Sequence, residues 1–118
     1  MTFDCVELRG IRAFGHHGAN PGEKVVAQPF DIDVTLELDL AQARRSDALA
    51  DTVDYSTLHA TVVRLVRERS YDLIERLGAD LLEAALADPR VQRASVRIAK
   101  PGLLAGATPA VVVRAARA

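Results

Sequence analysis

The sequence predicts an α+β domain, a four-stranded antiparallel sheet carrying two helices on one face. Three observations lead there. Residues 30–40 alternate apolar and polar without a slip, which marks a long strand with one dry face. Two consecutive segments, near 56–69 and 72–88, carry apolar residues at helical spacing. They separate two pairs of strand-like segments, so the order is β-β-α-α-β-β. Consecutive helices between two hairpins belong together on one face of an antiparallel sheet.

Cys5 to Phe14, mostly apolar or long-chained, predicts the first strand, with Gly10 as a bulge. Gly15-His16-His17-Gly18-Ala19-Asn20-Pro21-Gly22 must be a loop, because three glycines and a proline leave no regular alternative. In the second strand Phe30, Ile32, Val34, Leu36, Leu38 and Leu40 alternate with Asp31, Asp33, Thr35, Glu37 and Asp39. That acidic face is expected to meet solvent or the lumen of an assembly. Residues 41–54 are polar and irregular, with room for one helical turn. Ser56 can cap a helix reaching about Arg69, with Leu58, Val62, Leu65 and Val66 on one face. Asp72 opens the second helix, with Ile74, Leu77, Leu81 and Ala85 inward, and Asp88-Pro89 closes it. Val91 to Ala99 predicts the third strand and Ala110 to Ala116 the fourth. A lone four-stranded sheet has two open edges. Closing them edge to edge in a ring would cover both, so an oligomer is expected.

At 118 residues the chain is expected to be one domain, spanning 1–118. Three phenylalanines, two tyrosines and no tryptophan leave the core to aliphatic side chains. A net charge of −1 gives no electrostatic reason to expect nucleic acid or an anionic membrane as partner. The single cysteine, Cys5, excludes an intrachain disulfide. The first residues carry acids where a signal peptide needs bases, and no apolar run approaches the ~20 residues of a membrane span. The chain is therefore expected to be soluble and cytoplasmic. No Gly-x-Gly-x-x-Gly, P-loop or Gly-x-Ser-x-Gly occurs. His16 and His17 are adjacent, so their side chains point apart, and His59 is remote. No metal or other cofactor is expected, and His17 is read as a loop-shaping residue bonded to backbone.

Fifteen basic residues divide into thirteen arginines and two lysines, Lys24 and Lys100. In so arginine-rich a chain a lysine stands out, because lysine alone of the two can be tuned to release its proton. Lys100 lies where Arg97-Ile98-Ala99 meets Pro101-Gly102, a strand end well placed for acid–base work. A solvated strand-end lysine is the plain alternative. Glu23 lies in the glycine-rich loop; folded over Lys100, it would set which protonation form is present. Tyr55 precedes the first long helix, either packed over the helix start or poised for proton transfer. Glu75 stands three residues after Asp72, which is capping-box spacing, and on local grounds a cap is the simpler reading. The functional reading is a carboxylate accepting two parallel hydrogen bonds from an amidine-like edge, such as that of guanine or a pterin.

Taken together, these segments resemble the dihydroneopterin aldolase family. The resemblance rests on Phe14-Gly15-His16-His17-Gly18-Ala19, Glu23, Gln28-Pro29-Phe30, Asp51-Thr52-Val53-Asp54-Tyr55, Leu73-Ile74-Glu75 and Arg97-Ile98-Ala99-Lys100-Pro101, in order over essentially the whole chain. It implies the tunnelling fold, with subunits closing into a ring and rings commonly stacking into an octamer. It also implies cleavage of 7,8-dihydroneopterin in folate biosynthesis, without metal or Schiff base. Glu75 would anchor the pterin, bordered by backbone of Leu73 and Ile74. Thr52, Val53 and Tyr55 would come from the neighbouring subunit, along with Ala19 and Asn20. Lys100 would move protons at N5, Tyr55 would handle the 2′-hydroxyl proton, and Glu23 would stay beside Lys100. The chain departs from the family pattern at Gly102-Leu103-Leu104-Ala105-Gly106-Ala107-Thr108, which bears on the pocket rim, and at Asn20-Pro21-Gly22, which bears on loop mobility. Two alternatives stand beside this reading: an epimerase acting on dihydroneopterin or its triphosphate, and a pterin-binding ring protein without turnover.

Overall fold

The computed structural model describes residues 4–117. Among them the chain forms β1 (Cys5–Gly15), β2 (Gln28–Glu37), a short helix α1 (Ala41–Ser46), α2 (Tyr55–Glu68), α3 (Ile74–Ala85), β3 (Arg93–Ala99) and β4 (Ala110–Ala116). A single 3-10 turn covers Leu49–Asp51. The strands pair antiparallel in chain order, β1-β2-β3-β4. This is the expected β-β-α-α-β-β order with α1 added ahead of α2.

The apolar positions of β2 are why the sheet has one dry face. Phe30, Ile32, Val34 and Leu36 are at most 2% exposed. α2 packs over β1 and α3 over β3 and β4, so the helices cover that face together. Val62, Val66, Leu77, Leu81, Val96 and Ile98 complete a core that is aliphatic apart from Phe30. In β1 the pairing shifts between Leu8 and Ile11, and Gly10 supplies the bulge at φ 74°. The Gly10 amide donates to Asp33 Oδ1 at 2.7 Å, so one acid of the open face serves the bulge.

Several boundaries differ from expectation, each for a local reason. β2 ends at Glu37, before its alternation does, because Asp39 Oδ1 accepts from the Ala41 amide and turns the chain into α1. Asp54, not Ser56, caps α2; its carboxylate accepts from the amides of Ser56 and Thr57 and from the Thr57 hydroxyl. A carboxylate reaches both amides and adds charge at the positive end of the helix. α3 begins after Leu73 with no side-chain cap, and Asp72 turns instead to Lys24. The capping pair expected from Asp72 and Glu75 does not form. β3 starts at Arg93 rather than Val91, because the Val91 amide closes a turn on Asp88.

The open face of β2 is charge-matched rather than simply acidic. Arg12 forks onto Asp31 at 2.8 and 3.0 Å, and Arg93 approaches Glu37 at 3.6 Å. Exposed pairs of this kind contribute little stability, but they relieve the crowding of like charges. β1 and β4 are the sheet's edges, and neither has a further strand beside it among the described residues. No helix of the described residues is long and apolar enough to cross a membrane.

Candidate active site

Glu23 and Lys100 meet although they lie 77 residues apart. A turn places Glu23: its amide donates to the Asn20 carbonyl at 3.2 Å, and the Asn20 amide donates to Glu23 Oε1 at 3.0 Å. Glu23 Oε2 then accepts from Lys100 Nζ at 3.0 Å. The two side chains are only 8% and 12% exposed. The bond from the Asn20 amide, with Lys100 next, holds the Glu23 carboxyl below its usual range. Lys100 directly follows β3, and its amide donates to the Pro109 carbonyl at 3.0 Å, closing the 101–109 loop. The ammonium therefore hangs from a rigid strand end against a fixed carboxylate.

Gly18 makes room for this pair. A Cβ there would lie 2.3 Å from Glu23 Cδ and 2.5 Å from its Cβ. Gly18→Ala should push Glu23 off Lys100. A displacement of about 1 Å at reacting groups can cost ~10²-fold, so turnover should fall by at least about tenfold. Steady-state kinetics beside a thermal melt would read this; an unchanged rate means that the Glu23–Lys100 contact is not needed.

His17 ties the loop to the helices, which agrees with its reading as a loop-shaping residue. The Tyr71 amide donates to His17 Nδ1 at 3.1 Å, so Nδ1 is the acceptor. The proton must then sit on Nε2, which donates to the Val66 carbonyl at 2.9 Å. The ring is fully buried, edge-on to Phe30, and its desolvation pushes its pKa down. The Gly18 amide donates to the Tyr71 carbonyl, and Tyr71 OH in turn donates to Asp80 on α3. Because the folded state holds His17 neutral, its contribution is complete above the unfolded value of 6.5 and is lost as pH falls below it. Denaturant unfolding at pH 7.5 and 5.5 should show lower stability at the acid value. His17→Gln should flatten that slope.

The remaining site residues divide between two ends of the sheet. Gly78 of α3 abuts Ile98, whereas Ala85 shares a cavity of about 330 Å³ with Leu36, the β2 partner of Ala94. α3 therefore runs antiparallel to β3, and its first turn lies at the Lys100 end. Leu73, Ile74 and Glu75 belong to that end, and the Lys24–Asp72 ion pair joins them to the Glu23 loop. Glu75 is exposed and makes no hydrogen bond or ion pair among the described residues. No side chain caps the first turn of α3, where the Arg76 amide donates to the Leu73 carbonyl at 3.1 Å. Thr52, Val53 and Tyr55 lie at the opposite end. The Thr52 carbonyl is bonded by Arg90, three residues before β3 begins, and Val53 lines the cavity shared by Leu36 and Ala85. Seven strand residues separate that end from Lys100, about 20 Å at the usual rise. Tyr55, 57% exposed, opens α2 there.

One expectation is corrected. Asn20 bonds Glu23 within its own chain, so Ala19 and Asn20 stand with Lys100 and not with Thr52, Val53 and Tyr55. Short sequence separation from Glu23 was the available signal. Tyr71, Asp80 and Arg90 carry no sequence signal of their own; their roles come from contacts 9 to 54 residues away. Among the described residues, no group of three or more His, Cys, Asp or Glu side chains is placed to hold a metal ion.

The sequence model of the dihydroneopterin aldolase family matches residues 6–115. A probable dihydroneopterin aldolase of Synechocystis is 36% identical over 97 residues, 82% of either chain. The dihydroneopterin aldolase of Streptomyces coelicolor is 37% identical over 98 residues, 83% of this chain and 82% of that one. Among solved structures, E. coli dihydroneopterin aldolase in complex with neopterin superposes with a TM-score of 0.89 at 26% identity, covering 95% of this chain and 98% of that one.

Proposed function

The chain belongs to the dihydroneopterin aldolase family, and we propose that its shielded Glu23–Lys100 pair performs the family's retro-aldol chemistry on 7,8-dihydroneopterin. The tunnelling fold of that family is the fold described above. The products are 6-hydroxymethyl-7,8-dihydropterin and glycolaldehyde, a step of folate biosynthesis. The observation that carries the reading is a lysine at a strand end, 3.0 Å from a shielded carboxylate, facing the same end as an uncapped helix start that bears an unpaired Glu75.

The substrate supplies its own electron sink, which is why so few protein groups suffice. Its N5=C6 imine adjoins the carbon that must accept electrons. The 2′-hydroxyl proton is relayed to water through the Tyr55 hydroxyl, the C1′–C2′ bond breaks, and glycolaldehyde leaves. The bonding pair moves into C1′=C6 while N5 gains a proton from Lys100, directly or through water. Protonation at C1′ and loss of the N5 proton then restore the imine and give the hydroxymethyl product. Lys100 acts as acid and base and forms no bond to carbon. Glu75 accepts the 2-amino and N3 hydrogens of the pterin beside the Leu73 and Ile74 backbone.

Tyr55 lies about 20 Å from Lys100 within one chain, so the complete site joins two chains. Thr52, Val53 and Tyr55 come from the neighbour, and the open edges of β1 and β4 are where ring closure occurs. The active protein is thus a cytoplasmic homo-oligomer, a tetrameric ring or a stacked octamer. The loop offers Lys24 alone, paired with Asp72, and no basic cluster for a triphosphate, which favours the unphosphorylated substrate. The test is to incubate purified protein with 7,8-dihydroneopterin and EDTA and separate the pterins by chromatography. Hydroxymethyl product establishes a metal-independent aldolase. The C2′ epimer alone makes it an epimerase, and bound but unchanged pterin makes it a binding protein.

A further inference from the structure

We propose that Arg90 is a positioning residue for the active site completed by the next subunit, acting by holding the segment that presents Thr52, Val53 and Tyr55. The inference rests on the two-chain site proposed above. Arg90 lies in the turn between α3 and β3. Its Nη1 donates to the Thr52 carbonyl at 3.2 Å and to Asp88 Oδ2 at 3.0 Å, and its Nη2 donates to the Ala50 carbonyl. Asp88 Oδ1 also accepts the Arg90 amide at 2.8 Å, so the carboxylate fixes the arginine from both ends.

The segment thus held has little regular structure of its own. It contains one 3-10 turn at Leu49–Asp51, after which Thr52 is fully extended. Val53 is buried, and Asp54 caps α2 so that Tyr55 begins the helix. Among the described residues, Arg90 is the side chain that bonds this backbone from outside the segment, at Ala50 within the turn and at Thr52 after it. A planar guanidinium can serve two carbonyls and a carboxylate at once, whereas the single ammonium of lysine cannot reproduce that fork. Arg90 stands at the far end of β3 from Lys100 of its own chain, so its effect must be read at a site whose Lys100 belongs to the other chain.

Mixed assemblies test this. Two differently tagged chains are co-expressed, doubly purified, and assayed with 7,8-dihydroneopterin. Arg90→Ala alone should lower turnover by at least about tenfold, since sub-ångström placement of reacting groups controls rate. In an equal mixture of Arg90→Ala and Lys100→Ala chains, about one site in four joins an intact Lys100 to an intact neighbouring Arg90. Activity should therefore return to roughly a quarter of wild-type. The mixture of Arg90→Ala with Tyr55→Phe should stay at or below the Arg90→Ala level, because both lesions damage the same half. Arg90→Lys, which keeps the charge beside Asp88, should behave as Arg90→Ala does and serves if the alanine variant does not assemble. Arg90 variants within twofold of wild-type overturn the proposal. So does a silent Arg90→Ala/Lys100→Ala mixture when Lys100→Ala/Tyr55→Phe recovers. Should that last control also stay silent while wild-type turns over, the two-chain site itself is wrong and the Arg90 role falls with it.

Discussion

Lys100→Ala should lower kcat by about 10²–10⁴-fold, the usual contribution of one positioned acid–base group. Binding of neopterin should change by no more than about threefold, because the assigned anchor is Glu75 on another element. Loss of kcat without loss of binding separates a group that moves protons from one that merely lines a pocket. The variant leaves the shielded Glu23 carboxylate without its cation, and breaking a buried pair from one side is costly. The Asn20 amide still serves Glu23 Oε1, which limits that cost. The double variant Lys100→Met, Glu23→Gln removes both charges and should refold closer to wild-type while remaining inactive. A single variant that keeps more than about a tenth of wild-type turnover with dihydroneopterin would remove Lys100 from the chemistry.

The fold was readable because one element was unambiguous. Phe30 to Leu36 alternates so strictly that only a strand with one buried face satisfies it, and the whole sheet is built on that strand. Helix faces were equally plain: Ile74, Leu77, Leu81 and Ala85 are all buried as their spacing requires. Helix starts were not. Asp54 and Ser56 both satisfy the preference for a capping residue, and only backbone direction decides between them. Asp72 has the right spacing to Glu75 but found Lys24 across the loop, a contact that local sequence cannot express. The candidate site was legible as residue types, less so as geometry. Only the family resemblance implied that Glu23 stands beside Lys100 while Tyr55 serves another chain; local residue patterns do not express it. That division follows from the antiparallel run of α3 against β3, which is a property of the topology.

Glu75→Gln should raise the Kd for neopterin and the KM for dihydroneopterin by roughly 10²-fold. Two hydrogen bonds are at stake, each from a pterin N–H to a carboxylate oxygen, and bonds to a charged group contribute about 1.5–3 kcal/mol. The amide supplies one acceptor and sets an N–H donor opposite the second pterin N–H, so one bond becomes a clash. The loss should fall on kcat/KM, with kcat at saturation reduced much less, because the anchor is remote from the breaking bond. Stability provides the contrast that decides between anchor and cap. Removal of a capping side chain costs about 0.5–2 kcal/mol, whereas an exposed glutamate without a partner should cost less, chiefly its share of the helix-dipole interaction. Calorimetric titration with neopterin, beside denaturant unfolding of the same preparation, measures both. Weakened binding with an unmoved unfolding midpoint fits an anchor. An unmoved Kd with lowered stability would return Glu75 to the structural role that its spacing from Asp72 first suggested.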